Sequence, residues 1–262
     1  MEHIIKHFNI FLASVRMEVM DRLNDIHIGL LIMVTIFVQI FLSVVFFQAL
    51  YGQTESIAGW SLSEAYILLG TWHIVGDISW ALFVRGFIRM NYYVTSGSLD
   101  MMLRLPMDVR SILRYRNIDI FLHIPPLVVG IMILFYGISN SSGPVHWPIY
   151  LCLLLCAIVT YYSLTVMLSS VTFYVPNLSI NYIRNQVLEL GQYPIAIYKG
   201  LAKLLLTFII PLGFMFTVPA RALTGNITWI EFVQALSVTV LFYYVSDRVW
   251  RRGLARYESA LG

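Results

Sequence analysis

The chain has 262 residues, of which 59% are apolar, 15% aromatic and only 12% charged, with a formal net charge of +3 and a mean hydropathy of +0.77. A water-soluble domain carries about 25% charged residues, so a soluble enzyme is excluded, no nucleic-acid partner is expected, and the chain reads as an all-α integral membrane protein. Its length holds about six spans of ~20 residues with short loops but no catalytic domain besides, so any nucleotide-driven step must involve another polypeptide.

In chain order, Ile4, Phe8, Phe11, Leu12, Val15 and Val19 recur at helical spacing, with Lys6, Ser14, Arg16, Glu18 and Asp21 mostly elsewhere. This predicts an amphipathic helix over residues 1–25, lying in the membrane interface or packed on a partner. The first apolar run starts too late and is too long for a cleaved signal peptide. No charge occurs from Ile26 to Thr54, which predicts span one at about 29–50. Span two, about 62–84, is apolar but holds Glu64 near one end and His73 and Asp77 inside. From Ile120 to Ile183 the chain is uncharged for 64 residues, too long for one span. The cluster Ser139, Asn140, Ser141, Ser142, Gly143, Pro144 divides it into spans three and four, about 118–138 and 147–174. Cys152 and Cys156 lie four apart inside the latter and read as packing residues rather than a disulfide or metal pair. The last two runs, about 204–220 and 230–248, are shorter, and Pro211 and Pro219 interrupt the first of them.

Basic residues settle the count, because cytoplasmic loops collect Lys and Arg. Six spans put Lys6, Arg16, Arg22, Arg85, Arg89, Arg104, Arg110, Arg114, Arg116, Arg184, Lys199, Lys203, Arg248, Arg251, Arg252 and Arg256 on one side and Arg221 alone on the other. Both termini are then cytoplasmic. Trp60, Trp147 and Trp229 fall near the outer interface, where amphipathic indoles are favoured.

Several chemistries lack their residues. There is no Walker A loop and no HExxH, the six histidines are dispersed, and no GxSxG elbow occurs, so neither ATP hydrolysis by this chain alone, a metal site nor a serine nucleophile is expected. Asp77 stands out, since an ionised acid near a span's centre costs about 2.5 to 3.5 kcal/mol on insertion scales. It shares a helix face with Gly70, His73 and Trp80. Either His73, Asp77 and Trp80 line a transport path, or His73 and Asp77 form a hydrogen-bonded pair in the bundle interior.

The segment GSLDMMLRLPMDVR (Gly97 to Arg110), then QYPIAIY (Gln192 to Tyr198), LTFIIPLGFMFTVPARALTG (Leu206 to Gly225) and the closing WRRGLARYESALG, together with WSLSEAYILLG (Trp60 to Gly70), follow one another along essentially the whole chain. As an ordered set they resemble a permease of the ABC type-2 transporter family, in a bacterial branch of transport permeases. Leu105 precedes Pro106 where the family pattern has Arg. The resemblance implies six membrane helices per subunit, an N-terminal interfacial helix, a cytoplasmic coupling helix and an outer re-entrant segment. The coupling helix would occupy about 97–110 and dock on a separate ATP-binding subunit through Gly97, Asp100, Arg104, Pro106, Asp108 and Arg110. Without the resemblance, this stretch reads as a solvated loop whose arginines touch anionic headgroups. Pro211, Pro219 and Arg221 would belong to an outer gate over Pro211 to Thr224, the alternative being a proline-kinked span.

The resemblance further implies an ATP-driven exporter in a bacterial cytoplasmic membrane. Two permeases, a related pair before an identical one, would sit on a dimer of ABC ATPases, which would hold the ATP and Mg2+; no cofactor is expected on this chain. Two other classes are open. A secondary transporter usually shows internal repeats and several buried ionisable groups, and here no repeat is detected. A membrane scaffold would anchor partners without transport. A lipid transferase would need more acid, base or nucleophile groups than Tyr92, Tyr93 and Asp100.

Overall fold

The computed structural model describes residues 2–24, 26–176 and 180–257. These are helical, with loops and a two-residue hairpin at Ile57 and Trp60. The helices are α1 (Glu2–Asn24), α2 (Ile26–Tyr51), α3 (Leu62–Thr95), α4 (Ser98–Leu103), α5 (Val109–Arg116), α6 (Ile120–Ser139), α7 (Trp147–Phe173), α8 (Ile180–Glu189), α9 (Gly200–Ile209), α10 (Gly213–Leu223) and α11 (Trp229–Arg256). Five of them, α2, α3, α6, α7 and α11, are long and apolar enough to cross a membrane. The chain is an all-α integral membrane protein.

Helix α3 is the central element, being buried along most of its length and small where neighbours must come close. Against α6 the approach is set by glycines. A Cβ on Gly70 would stand 2.7 Å from the Gly130 carbonyl, one on Gly137 2.7 Å from the Ser63 carbonyl, and one on Gly130 2.5 Å from the His73 Cβ. Backbones this near maximise dispersion contact where no hydrophobic force drives helices together. On its other side α3 meets α7, which pairs along its length with α11. The helices α2 and α11 are peripheral and present wide apolar faces outward.

Two helix starts carry their own signal. Ser61 and Glu64 form a capping box at the head of α3, and Thr228 and Glu231 form another at the head of α11, each satisfying otherwise unpaired N–H groups. Both heads lie at one end of the bundle, with the loops 52–61, 140–146 and 224–228. This is the loop end. Residues 96–119 and 171–176 occupy the opposite, basic end.

The expected spans shift in instructive ways. Span two does not stop at residue 84: α3 runs on to Thr95 through a π-helical turn at Trp80–Val84. The sixth span likewise extends to Arg256, carrying Arg248, Arg251 and Arg252 within a helix. The segment 97–110 is not one helix. It contains α4, a bend over residues 104–107 and the first two residues of α5, because Pro106 cannot donate a helical N–H.

The largest correction concerns the run 204–220. It is two helices, α9 and α10, bent by 67° around Pro211. Just before it, Tyr193 packs its ring on Phe46 and Phe47 near the loop end of α2, and Ala196 lines a cavity with Ala58, Gly59 and Trp60. The side chain of Asn91, at the basic end, bonds the Pro176 carbonyl. The chain therefore reaches the loop end by Ala196, and α10 also ends there, where His146 N–H bonds the Ala222 carbonyl at 3.0 Å. Between Ala196 and Leu223 there is no net crossing. The chain instead traverses the bundle between Pro176 and Ala196, through α8 and the short turns Leu190–Gln192 and Ile195–Ile197. Hydropathy hides it, since Arg184, Asn185, Gln186 and Glu189 make that stretch look like a loop. Arg184 is interior, and Lys199 and Lys203 follow a segment at the loop end, so these three leave the basic-end tally; the remaining bias keeps its sign.

Helix α1 packs on α5 and α6, with Phe11, Val15 and Val19 half-buried. Met1, Asp25 and residues 258–262 of the closing motif lie outside the described residues.

Candidate functional site

Three places collect polar side chains, and the first is inside the bundle. Asp77 on α3 is buried. Its Oδ1 lies 3.0 Å from Nδ1 of His123 on α6, and its Oδ2 lies 3.5 Å from Nδ1 of His73, one turn back on α3. The shorter contact is a hydrogen bond between the Asp77 carboxyl and the His123 ring. The His123 ring stacks on Trp80 with centroids 5.5 Å apart and planes 23° from parallel. Over the Trp80 ring sits the Arg184 guanidinium, 5.4 Å from the centroid. Arg184 is 3% exposed, and Tyr161 of α7 completes the wall beside it.

His73, Asp77 and Trp80 are therefore brought together as their spacing predicts. The stronger partner of Asp77 is nevertheless His123, which spacing along α3 could not reveal. His123, Tyr161 and Arg184 were legible only as a histidine, a tyrosine and an arginine on other segments, with no signal linking them to α3.

Next to this cluster the π turn of α3 leaves the Ala81 carbonyl to accept the Asp119 N–H at 3.0 Å. Below it, Arg85 pairs with Asp119 at 3.0 Å. Asn117 links Arg89, at 3.3 Å, to the Tyr93 hydroxyl, at 2.9 Å. These bonds fix the start of α6 to the basic half of α3.

The second place is the tip at the basic end. Leu99 and Met102 of α4 are buried and anchor it, whereas Met101, Leu103 and Leu105 are exposed beside exposed Arg104 and Pro106. Gly97 takes a φ of +71° at the entry to α4, a left-handed turn that Gly adopts without steric cost. Asp108 precedes α5 and lies 3.5 Å from Arg110, which bonds Asp247 of α11 at 2.8 Å. Asp247 also pairs with Arg251 at 2.8 Å. Partial burial works against the charge on Arg110, but Asp108, Tyr162 and Asp247 outweigh it and hold the guanidinium above its usual range. The tip is thus bolted to α11 by a charge pair whose α11 member sequence reasoning did not single out.

The third place is the loop end. Arg221 of α10 pairs with Glu231, the capping residue of α11, and donates to the Asn226 carbonyl. Asn226 donates to Glu64 at 3.2 Å. A cavity of about 350 Å³ opens among Trp60, Glu64, Ala196, Arg221, Thr224 and Asn226. The side chains of Pro211 and Pro219 do not line it. Pro211 marks the bend before α10, and Pro219 is buried within that helix, just after its π-helical stretch Gly213–Thr217.

Comparison with curated proteins finds no match to the chain. A family model does match, described as ABC-2 family transporter protein and covering residues 20–260. With nearly the whole length matched, and a helical membrane bundle beneath the match, the chain belongs to the ABC-2 transporter family, as a membrane permease component of an ABC transporter.

Proposed function

We propose that this chain is the permease subunit of an ATP-driven exporter in a bacterial cytoplasmic membrane. It forms half of the pathway with a second permease, a related chain in preference to a second copy. Separate ABC ATPase subunits bind ATP and Mg2+ and dock on the basic end, which faces the cytoplasm with both termini. The observation that carries this reading is the tip at α4. Met101, Leu103 and Leu105 are exposed on an element held from behind by Leu99 and Met102, and an exposed apolar patch rimmed by Asp100, Arg104 and Asp108 fits a protein groove better than water. Closure of the ATPases then moves α4, and the Arg110–Asp247 bond carries that movement to α11. ATP can drive this only by favouring one conformation of the bundle over the other. The Arg221, Glu231, Asn226 and Glu64 network serves as the outer gate that must part, and the His73, Asp77 and Trp80 cluster borders the path.

Purification of the tagged chain in mild detergent, with mass spectrometry of stoichiometric partners and an ATP hydrolysis assay on the same sample, tests the assembly. A Walker-motif ATPase and vanadate-sensitive turnover are expected. Reversing Asp100 and Arg104 together should reduce the recovered ATPase several-fold while membrane insertion is unchanged. Recovery of the chain alone after crosslinking would overturn the reading in favour of a secondary transporter or scaffold.

A further inference from the structure

The buried cluster keeps its opposite charges apart. Its one carboxylate, Asp77, is turned toward two imidazoles, whereas Arg184 has no carboxylate among the described residues within ion-pair reach. Among the described residues its hydrogen bonds go to the neighbouring Asn185, whose Oδ1 lies 3.3 Å from Nε and 2.8 Å from one terminal nitrogen. The face of Trp80 supplies the rest. A buried guanidinium without a counter-charge is expensive in an apolar interior, and ionisable groups at membrane depth mark substrate routes.

There is also room beside it. Trp72 and Trp80 lie two turns apart on one face of α3. Helix α8 touches that face at both: Trp72 donates to the Leu188 carbonyl at 2.9 Å, and Arg184 covers Trp80. Between the two contacts stands Gly76. A Cβ built there meets nothing within 4 Å, in contrast to Gly70 and Gly86 on the same helix. Trp72 and Trp80 stand about one turn to either side of Gly76 along the helix, and the Arg184 guanidinium lies over Trp80. Open space between two tryptophans, with a single fork of donors near one of them, suits an oxyanion carried on an apolar body.

We propose that Arg184 and the gap at Gly76 bind the headgroup of an anionic amphiphile, a phosphate or carboxylate on an alkyl chain, and that this is the substrate class of the pathway. The inference rests on the permease reading. Binding itself is measured on this chain and needs no ATPase, so the two fail separately.

The test uses the full chain, with whatever co-purifies, in phosphatidylcholine nanodiscs. Dodecyl phosphate is titrated while the melting temperature and tryptophan fluorescence are followed. Inorganic phosphate, dodecyltrimethylammonium and nanodiscs containing phosphatidylglycerol serve as separate arms. Dodecyl phosphate should raise the melting temperature by several degrees with a saturable fluorescence change, and the cation and free phosphate should do neither. Phosphatidylglycerol should weaken the apparent dodecyl phosphate affinity by competition. Arg184→Gln should weaken binding at least tenfold and Arg184→Lys much less. Gly76→Leu should fill the gap and block binding without lowering the melting temperature of the ligand-free protein, which keeps the test decisive if Arg184→Gln fails to fold. An equal effect of inorganic phosphate overturns the amphiphile class. The same affinity in Arg184→Gln and Gly76→Leu, or no saturable binding to the unaltered chain, overturns the site.

Discussion

Ala58 and Gly59 turn the hairpin between Ile57 and Trp60 with φ of +52° and +82°. Such a two-residue turn needs positive φ at both positions. Glycine adopts it freely, whereas an L-residue with a Cβ loses about 1 to 2 kcal/mol. Ala58→Gly should therefore raise stability by roughly 1 kcal/mol, read as a higher melting temperature in detergent. Asp77 poses the opposite case. Asp77→Leu leaves the Nδ1 groups of His73 and His123 facing a methyl group, and each orphaned polar atom costs about 1 to 3 kcal/mol. Asp77→Asn keeps an acceptor and should cost less, the difference appearing in the same melts. The sequence announced Asp77 as costly, but its resolution by His123 was not legible, because no pattern along α3 says which histidine of another helix comes opposite.

At the scale of elements, the helix caps are short local strings that the sequence reading did not single out, and long-range pairing was not legible at all. The strings SLSE and TWIE mark the heads of α3 and α11, where both capping boxes form. Gly86 is different: only the fold shows that a Cβ there would lie 1.8 Å from the Leu113 carbonyl of α5. Backbone cannot yield as a flexible side chain would, so Gly86→Ala should cost about 3 kcal/mol or more and loosen α5 from α3, seen as faster proteolysis at residues 104–107. The Arg110–Asp247 bond invites a swap. Arg110→Asp should uncouple α4 from α11 and lower ATP-stimulated turnover of the assembly, and adding Asp247→Arg should restore much of it. The folded pKa of Arg110 is raised. Its contribution is therefore complete below the usual guanidinium range and is lost only as pH climbs above it, so from pH 6 to 9 Arg110 itself should add no pH dependence to this coupling.

For the whole molecule, the bundle was legible in its helices and illegible at one crossing. Charge-free runs gave α2, α6 and α7 to within a few residues, because lipid-facing sides leave no place for charge. The stretch around α8 escaped, since one side of it packs on the bundle and can carry Arg184 against Trp80. That placement makes a topological prediction. In a background with Cys152 and Cys156 changed to alanine, Ala196→Cys should react with a membrane-impermeant maleimide from the same face as Glu55→Cys, and Leu105→Cys from the opposite face. Labelling of Ala196→Cys together with Leu105→Cys would return residues 192–198 to the basic end.

The continuity of α3 has a mechanical corollary. From Leu62 to Thr95 it is one rod of 34 residues, about 50 Å at 1.5 Å per residue. The π turn at Trp80–Val84 divides it unequally, leaving about 27 Å toward the loop end and about 16 Å toward the tip. Pivoted there, the rod is a lever with its longer arm outward. A displacement of ~1 Å at Thr95 becomes ~1.5 Å at Glu64, comparable to the shift needed to part a 3.2 Å hydrogen bond from Asn226. Asp119, which grips the Ala81 carbonyl at that pivot, then acts as the fulcrum against which the arms turn.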